Sequence, residues 1–194
     1  MKLLFATQNK NKVDEINRLI GSQHELITLA DLNYDLELEE STMLLEENAL
    51  EKANHIYQEF NMNCFSEDTG LEVEALNGAP GALSARYAGE EKDAEDNMAK
   101  VLAEMNNLTN RNAQFRTVIA LVIDGKEFLY EGIIKGIITN KKRGANGFGY
   151  DPIFQPDGFT KTFAEMTADE KSAISHRARA FAKMKEFLES EFAE

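Results

Sequence analysis

Two adjacent carboxylates, Glu67 and Asp68, stand near the head of the stretch SEDTGLEVEALNGAPGALSARYAG, residues 66–89. Carboxylates at the end of a strand can hold a divalent cation or activate a water molecule. The bend NGAPG that follows could let the backbone pass close to a ligand, because glycine has no side chain. The same pattern is also typical of a β-hairpin with a solvated acidic end, so this stretch alone leaves both interpretations open.

A second acidic group, Glu46 and Glu47 followed by Asn48, opens a predicted helix. Mg²⁺ needs only one or two protein carboxylates besides water and substrate phosphates, so an acid from this helix and Asp68 could bind it together. No His or Cys cluster has metal-ligand spacing, which argues against zinc and iron. Because the chain has 34 Asp and Glu residues, a solvated surface role is the alternative for each of these acids.

A polar motif, TQNKNK, lies where a predicted strand ends and a helix begins. Free backbone N–H groups and the positive end of a helix attract anions there, and polar side chains add donors suited to phosphate. The Gly-x-x-x-x-Gly-Lys spacing of a Walker motif is absent. Simple capping of the helix is the alternative. The candidate phosphate ligands of this motif are Thr7, Gln8, Asn9, Lys10, Asn11 and Lys12.

A third group combines the segment GFGYDP, residues 147–152, with Lys171, His176 and Arg177. A glycine-flanked Phe148 can present its ring to a flat heterocycle, and the three basic side chains can donate to a carbonyl or to phosphate. Alternatively, Phe148 anchors a loop in the core and the basic side chains are solvated.

Hydrophobic periodicity predicts the elements that would position these residues. The first sixty residues have a βαβα pattern, which favours an α/β domain. Two β-branched runs around Asp124-Gly125 predict a hairpin. The predicted strands cover residues 2–8, 24–32 and 63–76 and the hairpin 114–138, the predicted helices cover 9–21, 41–60 and 90–108, and residues 141–159 are predicted to be a loop.

The last segment, residues 167–194, is predicted to be helical, with Thr167 and Glu170 forming a capping box. On an ideal helix His176 points away from the apolar stripe, which makes a buried core role less expected. Lys171 and His176 lie about 140° apart on an unbroken helix, so joint contact with one ligand requires a break. Ser175 could cap a second helix after such a break.

Composition limits the classes of partner and compartment. The net charge of −13 argues against binding a nucleic acid polymer, whose phosphates repel an acidic surface. A single cysteine, Cys64, excludes an intrachain disulfide and favours a reducing compartment. The apolar run at the N-terminus is too short for a signal peptide and no stretch approaches a membrane span. We therefore expect a cytoplasmic protein that binds no membrane.

Five segments resemble, in the same order and over nearly the whole chain, motifs of the inosine triphosphate pyrophosphatase family, whose members hydrolyse non-standard purine nucleoside triphosphates. The resemblance implies an α/β fold with an elongated mixed central sheet and flanking helices, forming one domain over residues 1–194 with two lobes around a nucleotide cleft, usually in a homodimer. It also implies Mg²⁺-dependent conversion of ITP, dITP or XTP to the monophosphate and pyrophosphate. The segments are TQNKNK, EENALEKA, EDTGLEVEALNGAPGALSARYAG, GFGYDPIF and SHRARA.

Residue by residue, the resemblance implies that Thr7, Asn9 and Lys12 hold the triphosphate, with Lys52 as a further candidate. Glu47 and Asp68 would sit at the metal, and Asp68 would also be the general base. The residues implied around the nucleoside are Thr69, Phe148, Gly149, Tyr150, Asp151, Lys171, His176 and Arg177.

One departure from the family pattern concerns the acidic motif. Many members read Asp-Asp-Ser-Gly where this chain reads Glu67-Asp68-Thr69-Gly70, and the longer Glu67 could shift the metal geometry. Two other functions stay open: a related pyrophosphatase acting on pyrimidine or modified triphosphates, and a regulatory protein that senses purine triphosphates without turnover.

Overall fold

Strand, turn and helix follow one another at the N-terminus as the periodicity predicts. The computed structural model describes residues 1–21 and 24–192, so the last two residues of the predicted C-terminal helix lie outside the described residues. The strands are β1 (Lys2–Phe5), β2 (Glu25–Thr28), β3 (Cys64–Val73), β4 (Pro80–Gly81), β5 (Asn112–Ile123), β6 (Lys126–Ile138) and β7 (Phe154–Pro156). The helices are α1 (Lys10–Leu19), α2 (Leu45–Phe60), α3 (Ala94–Glu104), α4 (Ala168–Ser172) and α5 (His176–Glu191).

Within the described ranges, seven strands form one mixed sheet in the order β2-β1-β3-β5-β6-β7, with β4 paired to β3. Strand β1 runs parallel to both β2 and β3, whereas β4 and β7 are antiparallel to β3 and β6. Parallel neighbours need a crossover, which α1 provides between β1 and β2. The expected α/β fold with a mixed central sheet and flanking helices is confirmed.

The chain divides into two compact units, and each has its own apolar core. The first unit contains residues 1–68, 117–132 and 177–194, and Phe5, Ile16, Phe65 and Phe181 lie in its core. The second contains residues 69–116 and 133–176, with a core that includes Leu71, Val101, Phe115, Phe154 and Phe163. The chain passes from the first unit to the second within β3, between Asp68 and Thr69.

The first part of β3 alternates between two helical neighbours, because successive side chains of a strand point to opposite faces. On one face, Cys64 donates from Sγ to the Ala53 carbonyl of α2 at 3.2 Å, and Ser66 donates from Oγ to the Ala49 carbonyl of the same helix. On the other face, Phe65 packs against Phe181 of α5, with ring centroids 6.2 Å apart. The same alternation turns the next two residues, Glu67 and Asp68, to opposite faces of the strand.

Most predicted elements are confirmed, and the hairpin turn is among them. Asp124 and Gly125 both have positive φ angles, 49° and 75°, as a two-residue hairpin turn of this type requires. The prediction that residues 141–159 form only a loop was wrong, because Phe154–Pro156 pairs with β6 as β7. A three-residue strand that contains Pro156 has too little alternation to be found from sequence.

The C-terminal helical segment is interrupted. Thr167 and Glu170 form the predicted capping box at the start of α4, and Ser175 immediately precedes α5. The expectation that His176 is not buried in a core was wrong: the residue is 3% exposed, and its ring stacks on Phe115 with centroids 4.6 Å apart. Within α5 His176 still lies away from the apolar stripe that includes Ala178 and Phe181, but Phe115 and Phe163 cover that side, so a residue outside the stripe is buried as well. Among the described residues, no helix is both long and apolar enough to cross a bilayer.

Candidate active site

The TQNKNK motif forms the turn that starts α1. Asn9 is the N-cap, and its Oδ1 accepts from the backbone N–H groups of Asn11 and Lys12 at 3.0 and 3.3 Å. The Thr7 hydroxyl accepts from the Asn9 N–H at 3.2 Å. These bonds fit the capping alternative for Thr7 and Asn9, so direct phosphate contacts by their side chains stay a prediction. Gln8 donates from Nε2 to the Leu36 carbonyl at 2.8 Å, which connects this turn to the loop before α2.

Glu67 and Asp68 do not act as a carboxylate pair, because strand alternation turns them to opposite faces. Glu67 faces α5, where its two oxygens accept from Nε and Nη2 of Arg177, each at 2.7 Å. Lys12 Nζ lies 3.1 Å from Glu67 Oε1. Burial disfavours the charged form of Glu67, but Arg177 and Lys12 outweigh it and hold the pKa of this carboxyl well below its usual range. Glu67 is therefore an ionised partner of these two cations.

Asp68 faces α2 and is 4% exposed. Its Oδ2 accepts from Asn48 Nδ2 at 3.0 Å, and its Oδ1 lies 3.8 Å from Lys52 Nζ. Burial is the largest influence on this group and raises its pKa, against the lowering effect of Lys52. A buried carboxylate with a raised pKa is suited to accept a proton near neutral pH, which is what a general base must do.

Glu40 joins this group, although sequence reasoning missed it. Its Oε1 accepts from Lys52 Nζ at 2.6 Å, so Lys52 is placed between the carboxylates of Glu40 and Asp68. Glu40 precedes α2 in a loop without hydrophobic periodicity, and the acidic run that it ends looks like any solvated surface. The only sequence signal was its position twelve residues before a lysine that the family resemblance had already marked.

The residues around Asp68 suit a hard cation such as Mg²⁺. They offer carboxylate and amide oxygens, and Glu47 lies exposed in the first turn of α2 beside Asn48, which binds Asp68. In the part of the chain that the structure describes, no three His, Cys, Asp or Glu side chains converge in the way a metal cage requires. Mg²⁺ does not need such a cage, because waters and substrate phosphates complete its shell. The pairing of Glu47 with Asp68 at a metal stays a prediction.

The second unit holds the loop that contains Phe148, Gly149, Tyr150 and Asp151. Asp151 Oδ2 accepts from the Phe148 N–H at 2.9 Å and from Lys171 Nζ at 2.6 Å. Lys171 Nζ also lies 4.9 Å from the centroid of the Phe148 ring. The buried Asp151 thus fixes both the backbone of the loop and the ammonium of Lys171 beside the half-buried phenyl ring.

Glycine is required at position 147 in this loop. Gly147 has φ +74°, and a Cβ there would meet Asp151 Oδ2 at 2.0 Å. Tyr150 anchors the other end of the loop, since its hydroxyl donates to the Ser84 carbonyl at 2.7 Å and burial raises its pKa. The GFGYD segment is therefore held from both sides as a rigid platform in the second unit.

Comparison with known proteins places the chain in a family. The Ham1 family model matches residues 3–187. The chain belongs to the Ham1 family. It is 48% identical over 188 residues to a dITP/XTP pyrophosphatase of Flavobacterium johnsoniae, covering 97% of this chain and 98% of that protein. The resemblance to the inosine triphosphate pyrophosphatase family is thereby confirmed.

Two solved structures are also similar to this chain. The Staphylococcus aureus Ham1 protein has a TM-score of 0.89 and 38% identity, with 98% of this chain and all of that chain covered (100%). A nucleoside-triphosphatase, or dITP/XTP pyrophosphatase, from Mycobacterium abscessus has a TM-score of 0.77 and 42% identity, covering 95% and 98% of the two chains.

The predicted site residues of this Ham1 chain are divided between the two units. Lys12, Lys52 and Asp68 belong to the first unit with the rest of the TQNKNK motif, Glu47 and Arg177. Thr69, His176 and the residues of the GFGYD loop belong to the second, together with Lys171. Arg177 was expected around the nucleoside, yet three of its donors bind Glu67 and Glu15 in the first unit. A base contact by Arg177 stays a prediction.

Proposed function

We propose that this chain is an Mg²⁺-dependent nucleoside triphosphate pyrophosphatase that converts ITP, dITP and XTP to the monophosphate and pyrophosphate, and so removes non-standard purines from the nucleotide pool. Its Ham1 membership and the name of its 48%-identical relative support the reaction. The structural observation that carries the proposal is the buried Asp68 carboxylate, hydrogen-bonded to Asn48 and 3.8 Å from the Lys52 ammonium.

The predicted site residues Lys12, Lys52 and Asp68 of the first unit have distinct roles in this reaction. Lys12 and Lys52 place positive charge where the triphosphate oxygens gain negative charge, which is the main requirement of phosphoryl-type transfer. Asp68 orients a water molecule toward the α-phosphorus and accepts its proton. The water oxygen forms the new bond to the α-phosphorus, the bond from that phosphorus to the bridging oxygen breaks, and pyrophosphate leaves. Mg²⁺, when bound, would neutralise phosphate charge near Asp68 and Glu47.

We assign the base to the second unit. The rigid loop around Phe148 offers an aromatic face, and Lys171 and backbone N–H groups offer donors for a purine carbonyl at position 6. Adenine presents an amino group there, which would leave those donors unsatisfied and so disfavours ATP. GTP shares the carbonyl with ITP and must be rejected elsewhere on the base.

Pyrophosphate release tests this proposal directly. The panel contains ITP, XTP, dITP, GTP, ATP and dTTP, each with Mg²⁺ and with EDTA. We expect metal-dependent turnover of ITP, XTP and dITP well above that of ATP and GTP. Preference for dTTP would favour the related pyrimidine pyrophosphatase. Binding of ITP without turnover of any substrate would favour a sensor and contradict the proposal.

We also propose that the chain works in the cytoplasm as a homodimer. The single, buried Cys64 and the family resemblance support these two statements. Analytical ultracentrifugation at micromolar concentration measures the oligomeric state, and a monomer there would contradict the dimer.

A further inference from the structure

Arg177, in the first turn of α5, connects three elements of the first unit. Its Nε and Nη2 bind the two oxygens of Glu67 in β3, and its Nη1 binds Glu15 Oε2 in α1. Arg177 is 1% exposed, and the side chains of Glu67 and Glu15 are 0% and 13% exposed. Such a buried fork with carboxylates at both ends fixes direction as well as charge.

Lys12 is the fourth member of this network. Its ammonium lies 3.1 Å from Glu67 Oε1, the same oxygen that Arg177 Nη2 contacts at 2.7 Å. Lys12 and Glu15 are three residues apart on α1, so they lie on the same side of that helix. The helix is therefore connected to Glu67 twice, directly through Lys12 and indirectly through Glu15 and Arg177.

We propose that Glu15 is a positioning residue for phosphate binding: it orients Arg177, Arg177 holds Glu67, and Glu67 together with the position of α1 sets where the Lys12 ammonium points. This proposal rests on the proposed function, in which Lys12 binds the triphosphate.

The physical reason lies in how the charges are shared. Because Arg177 binds both oxygens of Glu67, the Lys12 ammonium can turn toward a phosphate and Glu67 still has a hydrogen-bonded cation partner. When Lys12 does so, its own connection between α1 and Glu67 weakens. The Glu15 contact with Arg177 then keeps the start of α1 in place, and with it the backbone and side chains of the TQNKNK turn.

The test distinguishes a positioning role of Glu15 from the long-range effect of its negative charge on anion binding. Removing an acid near a phosphate site should tighten anion binding if only long-range charge matters. The positioning role predicts the opposite for Glu15→Ala, which removes the acceptor of Arg177 Nη1. Glu15→Gln also removes the charge but keeps an oxygen at the end of a side chain of the same length, so it should restore most of the binding. Asp14→Ala is the matched control, because Asp14 is an exposed acid on the same helix.

The measurement is calorimetric binding of inorganic tripolyphosphate with Mg²⁺ to the full chain, a probe that has no base and needs no turnover. We expect Glu15→Ala to bind about tenfold more weakly than wild type, in the range known for residues that support a ligand-binding group. Glu15→Gln should stay within about threefold, and Asp14→Ala should be unchanged or slightly tighter. In ITP turnover, KM should rise about tenfold in Glu15→Ala while kcat changes less than about threefold.

Several results would overturn the proposal. These are a Glu15→Ala chain that binds tripolyphosphate as Asp14→Ala does, a Glu15→Gln chain as weak as Glu15→Ala, and a wild-type chain that does not bind the probe. If Glu15→Ala does not fold, Glu15→Asp replaces it, since it keeps the charge and shortens the reach, and wild-type affinity in it refutes positioning. If wild type binds tripolyphosphate but turns over no nucleotide, the proposed function fails and the Glu15 effect on binding is still decided.

Discussion

Replacement of Asp68 by Asn should remove activity without removing stability. A positioned general base contributes about 10²- to 10⁴-fold to rate, so we expect kcat for ITP to fall by that factor. The corresponding rise in the activation barrier is about 3 to 5 kcal/mol, since each tenfold loss in rate corresponds to about 1.4 kcal/mol. An amide has nearly the shape of a carboxylate but cannot accept the proton of the attacking water.

The stability of this variant follows from the surroundings of Asp68. Because burial raises its pKa in the folded chain, the stability that the carboxyl contributes is present at low pH and is lost as the pH rises past the folded-state pKa. At neutral pH the buried charge is therefore a cost that the neutral amide avoids. The amide oxygen can still accept from Asn48, and Lys52 keeps its contact with Glu40 at 2.6 Å. We expect the free energy of unfolding at pH 8 to change by less than about 1 kcal/mol.

Three measurements check this prediction. Pyrophosphate release gives kcat, urea unfolding gives stability, and a Mg²⁺ titration separates the two roles of Asp68. Asp35→Asn is the control, because it makes the same chemical change at an exposed site and should alter kcat by less than about twofold. A loss of less than tenfold would refute the general base, and full recovery at high Mg²⁺ would show that Asp68 acts only through the metal.

Two further predictions concern residues of the second unit. Gly70→Ala should lower the free energy of unfolding in urea by about 1 to 3 kcal/mol, because its Cβ would meet the Gly81 carbonyl oxygen at 2.7 Å; stability at or above wild type would contradict this packing. Lys171→Met should cost about 3 to 5 kcal/mol, because it removes the ammonium that lies 2.6 Å from the buried Asp151 carboxylate. Adding Asp151→Asn should recover more than half of that loss by the same assay, and no recovery would mean that the ion pair does not carry the effect.

The sequence predicted the local elements well and the directions of side chains less well. Periodicity located α1, α2 and the β5–β6 hairpin, because each has a long apolar pattern or a specific turn. Strand β7 was missed because a strand of three residues is too short to show an alternation of apolar and polar residues. The burial of His176 was missed because Phe115 and Phe163, which are distant in the chain, cover the side of α5 that lies away from its apolar stripe.

The sequence predicted which residues belong to the candidate site better than it predicted which residues contact them. The motifs marked Asp68, Lys12 and the GFGYD loop, which the structure places among buried charges and fixed backbone. Glu15 and Glu40 were not marked, because an acid in the second turn of a helix or in a loop looks solvated until its cation is seen. Their partners, Arg177 and Lys52, lie 162 and 12 residues away in the chain. Contacts at such separations leave no local pattern.

Glu67 and Asp68 have different partners because the two-residue repeat of β3 matches a four-residue step along α2. A step of two residues along a strand advances about 6.7 Å, and a step of four residues along a helix advances about 6 Å. Cys64 meets Ala53 and Ser66 meets Ala49, so the next even-numbered residue, Asp68, must meet the first turn of α2. It does so at Asn48, where the helix N-terminus also favours a negative charge. An odd-numbered acid can never reach that position, and Glu67 therefore serves Arg177 on the opposite face.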